Sequence, residues 1–358
     1  MIKIKQLQLD IKISGEPIPP KSFVSLVFTE SVGQIPTCEI TLKDRDFKYM
    51  GIRGGDIVEI SFSILNEPIT KLKFIVNNVI TSSITISDWT VVISGILDLN
   101  KFITETKQQF LENATTKDVI TSFQNIDVIW DTKITPKDNQ VWIRYGISEL
   151  QWLKSIYQFI NFGNDTPIIH LDLLKRLKIV AIKEKLSDDP KATFFFVKKE
   201  LNHNEFQMKE VKFQTDRTNY FLLPKNAVFV EYDYLSKKET KHKIANNNSL
   251  LGVSSLKGTD LYLGNTYKDY FKVKYNNISK WVEFLSDSLI VLISQGWIGL
   301  DTLSVFDVIR INIGENLSYN NKDKFPKKWM ITGRKITNNA NASFDYKIKL
   351  NTLREVGE

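Results

Sequence analysis

Hydrophobic and polar residues alternate along most of this chain, and the period of two gives way to a helical one in three places. Ile2, Ile4, Leu7, Leu9, Ile11 and Ile13 alternate with lysines and other polar residues, apart from a register slip at Gln6 that a bulge would absorb. Gly15-Glu16-Pro17 and Pro19-Pro20 then read as a turn or edge connection. Further strands are predicted at Phe23–Thr29, Thr37–Leu42, Ile57–Ile64, Leu72–Thr81 and Trp89–Leu97, separated by Pro36, Gly51, Gly54-Gly55, Pro68 and Asp88. Short strands at this spacing predict a small barrel or sandwich.

The pattern changes near residue 110. Thr115 is a cap residue followed three positions later by Asp118, and Val119, Ile120 and Phe123 then fall at helical spacing. A second helix is predicted from Ser148, with Gln151 completing a capping box. Leu150, Leu153, Ile156, Tyr157 and Ile160 form its apolar stripe, and Gly163 is its stop. Strands are expected at Val128–Asp131, Gln140–Tyr145, Ile168–Leu173, Leu177–Ile182 and Thr193–Lys198, which makes this segment α+β. From Phe206 the chain turns β again, with strands at Val211–Gln214 and Ala227–Tyr232. Residues 236 to 270 are polar and read as a long excursion. A third helix is expected from Ile278 to about Leu289, with Trp281, Val282, Leu285 and Leu289 on one face.

One stretch near the end has a counterpart near the start. Ser304 to Ile313 and Trp329 to Thr337 are two β-type runs separated by a polar gap, the first opened by Asp307. Gly54 to Phe62 and Phe74 to Thr81 repeat that layout, opened by Asp56. Two copies of one β-unit are the reading carried forward. Two hairpins that merely share alternation and a leading turn residue are the other.

Composition removes several function classes. At 358 residues, 42% hydrophobic, the chain can bury a sizeable core. The net charge of +7 is spread among interleaved acids. The pairs Lys198-Lys199, Lys237-Lys238 and Lys327-Lys328 therefore read as solvated surface, although a basic balance permits weak contact with a polyanion. The single cysteine, Cys38, excludes an intrachain disulfide and a cysteine-based zinc cluster, and its place in a strand suits a core residue. The N-terminus alternates like a strand rather than a signal peptide, and no apolar run approaches a membrane span. The expectation is a chain made soluble in the cytoplasm. The histidines His170, His203 and His242 are dispersed and outside any metal-ligand spacing. Lys257 and Gly258 stand in the wrong order for a phosphate-binding loop, and Asp188-Asp189-Pro190 is turn chemistry. No catalytic residue, no cofactor-binding residue and no metal ligand is predicted. The seven tryptophans are spread over every segment, as expected for several cores or subunit interfaces.

The closing stretch resembles a known family. Asp307-Val308-Ile309-Arg310-Ile311, then Lys328-Trp329-Met330-Ile331-Thr332-Gly333, then a last strand ending at Leu350, is similar to the end of phage baseplate hub proteins and of the related type VI secretion spike proteins. The family pattern places Gly before the Asp. Here Phe306 stands there, whereas the first copy keeps Gly55-Asp56. The Thr-Lys-Asp-Val-Ile and Ser-Glu-Leu-Gln-Trp-Leu helix starts resemble the insert of those hubs. The resemblance implies a mainly β chain with an α+β insert and two tail-tube-like antiparallel β-barrels. Residues 1–112 would form the first barrel. Residues 113–205 would form the insert, with strands returning to the first barrel. Residues 206–358 would form the second barrel, with an excursion at about 236–295. It implies a homotrimer whose six barrels form a ring between a hexameric tail tube and a trimeric central spike. Other baseplate proteins would surround the ring and DNA would pass through its axis. It implies no enzymatic activity, no cofactor, no stable membrane insertion, and a place in the virion after assembly in the host cytoplasm. Spike and wall-degrading enzyme would be separate chains. Two other classes stay open on the residues alone: a tail-associated enzyme acting on cell-wall or capsular polysaccharide, and a β-barrel nucleic-acid binder, which tight salt-dependent DNA binding would reveal.

Overall fold

The computed structural model describes residues 7–64, 69–85, 88–196, 202, 204–215, 226–233, 238–245, 256–262, 270–312, 326, 328–339 and 344–353. The chain begins with β1 (Leu7–Ile13), β2 (Glu16–Pro17), β3 (Phe23–Ser31), β4 (Thr37–Asp44), β5 (Ile57–Ile64), β6 (Thr70–Thr85) and β7 (Asp88–Leu97). Alternation explains them. In β4, Cys38, Ile40 and Leu42 are buried while Glu39 and Lys43 face solvent. The buried Asp44 ends that strand by accepting the Lys48 and Tyr49 N–H groups at 2.8 and 2.9 Å. The part of the N-terminal run before Leu7 lies outside the described residues.

The middle segment holds α1 (Asn100–Thr104), β8 (Thr106–Ala114), α2 (Thr116–Thr121), β9 (Asp127–Trp130), β10 (Gln140–Ser148), α3 (Glu149–Ile156), β11 (Pro167–Leu171), β12 (Arg176–Ala181), α4 (Ile182–Ser187), β13 (Ala192–Phe195) and β14 (Glu205–Gln207). Both expected capping boxes form. Thr115 and Asp118 exchange bonds at the start of α2, and Ser148 and Gln151 do so at the start of α3. Trp152, Leu153 and Ile156 of α3 are buried, and Phe123 packs between the rings of Phe102 and Trp152. β8 was not expected. It pairs with β10 as a two-stranded ribbon and exposes most of its residues, so its sequence carries little apolar alternation. Ile182, expected to end a strand, opens α4 instead.

The last segment holds β15 (Glu210–Thr215), β16 (Asn226–Asp233), β17 (Lys238–Ala245), β18 (Leu256–Tyr262), α5 (Tyr270–Ser286), β19 (Asp287–Gln295), β20 (Val308–Asn312), β21 (Lys328–Asn339) and β22 (Phe344–Asn351). Three expectations change here. The polar stretch 236–270 contains β17 and β18, which flank β16 in a three-stranded sheet; its remaining residues, up to Asp269, lie outside the described ones. The third helix starts at Tyr270 and ends at Ser286, so Leu289 belongs to a strand. The run from Leu289 to Ile293 is short and β-branched, and periodicity alone does not separate a helix end from a strand there. Consequently the span 236–295, expected to be an excursion, includes β19, which pairs with β15 and β22 inside the main sheet.

That main sheet has fourteen strands and contains the same order twice. One set runs β5–β6–β7–β4–β3 and the other β20–β21–β22–β19–β15, antiparallel at every step. Each set carries a register shift at the same place, between Val76 and Asn78 in β6 and between Ile331 and Gly333 in β21. β3, the last strand of the first set, pairs with the part of β21 that β20 leaves uncovered, so the two sets are joined in one sheet. Among the described residues neither set closes on itself into a barrel. The two share one core. Trp297, ahead of β20, stacks on Phe62 of the first set at 5.0 Å and touches Phe344 of the second at 5.0 Å. α5 fastens the insert: Asn277 Nδ2 donates to the carbonyls of Gln158 and Ile160, and Trp281 stacks on Tyr157.

Candidate functional site

The seam between β3 and β21 joins both strand sets and the insert. Their register runs from Gly333 opposite Ser31 to Asn339 opposite Ser25. A Cβ at Gly333 would lie 2.8 Å from Ser31 Oγ and 3.2 Å from the Glu30 carbonyl oxygen, so the approach requires glycine.

Glu30 and Arg334 face each other across the seam, 1% and 5% exposed. Arg334 Nε donates to Glu30 Oε2, and its Nη1 donates to the carbonyls of Thr302 and Leu303 at 3.2 and 3.5 Å. The other carboxylate oxygen of Glu30 accepts the Leu173 N–H at 2.7 Å. One ion pair thus holds both strand sets, the β11–β12 turn and the loop ahead of β20. The network continues outward. Asp172 accepts from the backbone N–H and the Nε of Arg176 at 2.9 and 2.7 Å, Arg176 reaches Asp301 at 2.6 Å, and Lys178 lies 3.4 Å from Asp172. Burial opposes the charge on Arg176, but Asp301 and Asp172 outweigh it and raise its pKa. Burial likewise works against the Asp301 carboxylate, and Arg176 outweighs that and lowers its pKa.

Among the described residues, His170 is the histidine brought into this network. It is fully buried, 3.9 Å from Glu30 and edge-on to Phe306. Burial pushes its pKa down to about 4; Glu30 and Asp172 pull the other way, while Arg334 and Lys178 reinforce burial. It is therefore neutral at pH 7, and its contact with Glu30 is not an ion pair there. His203 lies outside the described residues, and only the backbone is described for His242.

Beside the seam, the turn that opens each strand set is built twice. The N–H groups of Arg53 and Ser304 donate to the side chains of Asp56 and Asp307 at 2.9 and 2.7 Å. Gly55 N–H meets Val76 O and Phe306 N–H meets Ile331 O, each at 2.8 Å. Val76 and Ile331 return their own N–H groups to the carbonyls of Asp56 and Asp307. The residue before each Asp is left-handed, with φ 97° at Gly55 and 78° at Phe306. Phe306 holds that strained position while 2% exposed.

Other flagged residues serve the fold. Cys38 is buried, which pushes its thiol pKa well up. Lys328 caps the end of α4 by donating to the carbonyls of Ser187 and Asp188 at 3.0 and 2.7 Å. Asp188 pairs with Lys185 at 2.9 Å. Lys198, Lys199, Lys237 and Lys327 lie outside the described residues. Among the described residues no three His, Cys, Asp or Glu side chains gather to hold a metal ion, and no helix is long and apolar enough to cross a membrane. Reading the sequence missed Glu30, Arg334, Asp172, Arg176 and Asp301. A signal existed: Glu30 shares the buried phase of Leu26 and Phe28, and Arg334 that of Ile336 and Asn338. A charge on the apolar phase of a strand needs a buried partner.

No family model matches the sequence, and no curated protein matches it. Solved structures are similar. The tail protein from Neisseria meningitidis MC58 aligns over 97% of this chain and 96% of its own, with TM-score 0.61 and 10% identity. The 43 kDa tail protein of prophage MuSo2 from Shewanella oneidensis aligns over 96% of this chain and 98% of its own, with TM-score 0.58 and 10% identity. Over nearly its whole length, then, this mainly β chain has the fold of those two tail proteins.

Proposed function

We propose that this chain is a structural baseplate hub of a phage tail or phage-like injection machine. Three copies form a ring of six quasi-equivalent strand sets. The ring joins a hexameric tail tube to a trimeric central spike, surrounds the DNA channel and contacts other baseplate proteins. Residues 1–112 and 206–358 each supply one tube-like unit, and residues 113–205 form the insert, whose strand β13 joins β20 of the second set rather than returning to the first as expected. The chain works mechanically in the virion, as adapter and conduit, without catalysis. The observation that carries this reading is the strand order present twice within one sheet. A chain with two like modules can present sixfold-like docking surfaces from a threefold assembly. The likeness of the whole fold to two tail proteins supports it. Light scattering with negative-stain class averages of the purified chain tests it. The expected result is a threefold ring with a six-lobed rim and a central hole. A stable dimer with a deep cleft, or cleavage of purified wall or capsule, overturns it.

A further inference from the structure

The seam has a counterpart within the chain that is left open on both sides. In the second set, β20 covers β21 only at Lys328–Met330, and β3 covers the same edge from Gly333 onward. In the first set, β5 covers β6 only at Thr70–Ile75. Among the described residues nothing pairs with that edge of β6 beyond the turn bonds at Val76. β15 stands in the second set where β3 stands in the first. It pairs with β19 alone, and its other edge is open among the described residues.

We propose that β15 of one copy pairs antiparallel with the second half of β6 of the next copy, repeating the β3–β21 seam between chains. The inference rests on the hub reading for closure at three copies. The pairing itself stands on the repeat.

The register follows from positions matched through the shared strand order. Ile331 corresponds to Val76 by their turn bonds and Leu350 to Gly95 by pairing. Leu289 then corresponds to Cys38, and Phe213 to Phe28. The seam pairs Ile336 with Phe28, Thr337 with Val27 and Asn338 with Leu26. Carried across, these become Thr81 with Phe213, Ser82 with Lys212 and Ser83 with Val211. Exposure supports the match. Phe28 is 2% exposed under β21, whereas Phe213 is 57% exposed. Ile336 is buried, whereas Thr81 to Ser83 face solvent. An apolar residue on an open strand edge is what sheet proteins ordinarily cover. The two open edges are different surfaces, so the contact is head-to-tail and continues from copy to copy until it closes.

The test uses the full chain with two designed cysteine pairs, Ser82→Cys with Lys212→Cys, and Ser83→Cys with Val211→Cys. Directly opposite residues lie about 4.5 or 5.5 Å apart at Cα, within disulfide reach. A slipped control, Ser82→Cys with Gln214→Cys, puts the pair on a diagonal about 7–8 Å apart. After oxidation, both matched pairs are expected to give a covalent trimer, while the control and the single variants give none. Covalent dimers or open ladders without a trimer keep the pairing and overturn closure at three, hence the hub reading. A threefold ring in class averages without matched-pair crosslinks overturns the pairing and leaves the hub reading standing. A chain that neither associates nor crosslinks at its highest soluble concentration overturns the pairing.

Discussion

Replacing the seam ion pair tests whether the two strand sets are locked together from inside. Glu30→Met leaves a guanidinium buried at the seam without its carboxylate and orphans the Leu173 N–H. Breaking a buried pair from one side costs about 3–5 kcal/mol, against a total stability of about 5–15 kcal/mol for a domain. Arg334→Met leaves the Glu30 carboxylate buried with only the Leu173 N–H and costs a similar about 3–5 kcal/mol. The double variant buries no charge. What remains unpaired is the Leu173 N–H and the Thr302 and Leu303 carbonyls, each costing about 1–3 kcal/mol where it finds no other partner. Each of those groups is also orphaned in one of the single variants and cancels around the cycle, so the coupling is that of the uncompensated buried charges, at least about 3 kcal/mol. Urea unfolding at pH 7.5, followed by tryptophan fluorescence, measures all four corners of the cycle. Single costs under about 1 kcal/mol, typical of solvated pairs, or additivity within about 0.5 kcal/mol, would refute the buried lock.

Three more outcomes are expected. His170 binds fewer protons folded, with a pKa of about 4, than unfolded, near 6.5, so its contribution is full above pH 6.5 and is lost as pH falls toward 4. The loss approaches about 3 kcal/mol, and His170→Leu should flatten stability against pH over that window in denaturant titrations. Gly333→Val should destabilise by about 1–3 kcal/mol through overpacking at the seam. Adding Ser31→Ala should restore only part of that in thermal melts, because the 3.2 Å contact to the Glu30 carbonyl remains. Phe306→Ala should cost about 3–5 kcal/mol, yet Phe306→Gly should melt higher than Phe306→Ala, because glycine relieves about 1–2 kcal/mol of left-handed strain. The usual order of alanine above glycine would remove that argument.

What the sequence made legible was what alternation and capping determine locally. The strands Phe23–Ser31, Thr37–Asp44, Ile57–Ile64 and Phe344–Asn351 show their buried phase directly. Thr115 and Ser148 announce helices because both halves of each capping box lie within four residues. β8 stayed hidden because most of its residues are exposed and Phe110, 56% exposed, is not on a core face. The seam network stayed hidden for another reason. Glu30 and Arg334 are 304 positions apart, so no local pattern joins them.

The repeat was legible through its paired β-type runs and the Asp that opens each, and the turn built on that Asp explains where the copies diverge. Both copies keep the Asp because it performs the same work: its side chain takes the N–H three residues back, and its carbonyl takes the N–H from the bulged strand. Both need a left-handed residue before it, which glycine supplies without strain. At Gly55 a side chain would meet nothing within 4 Å, so there is no packing to offset the strain of a larger residue. At Phe306 the same position faces the insert, where the ring is buried against His170. Burying a phenylalanine is worth about 1.5–3 kcal/mol, more than the about 1–2 kcal/mol that left-handed geometry costs. The second copy therefore gives up the glycine of the pattern because only there does the insert fold over the turn. The residue that departs from the repeat is thus one of those that pack the insert against it.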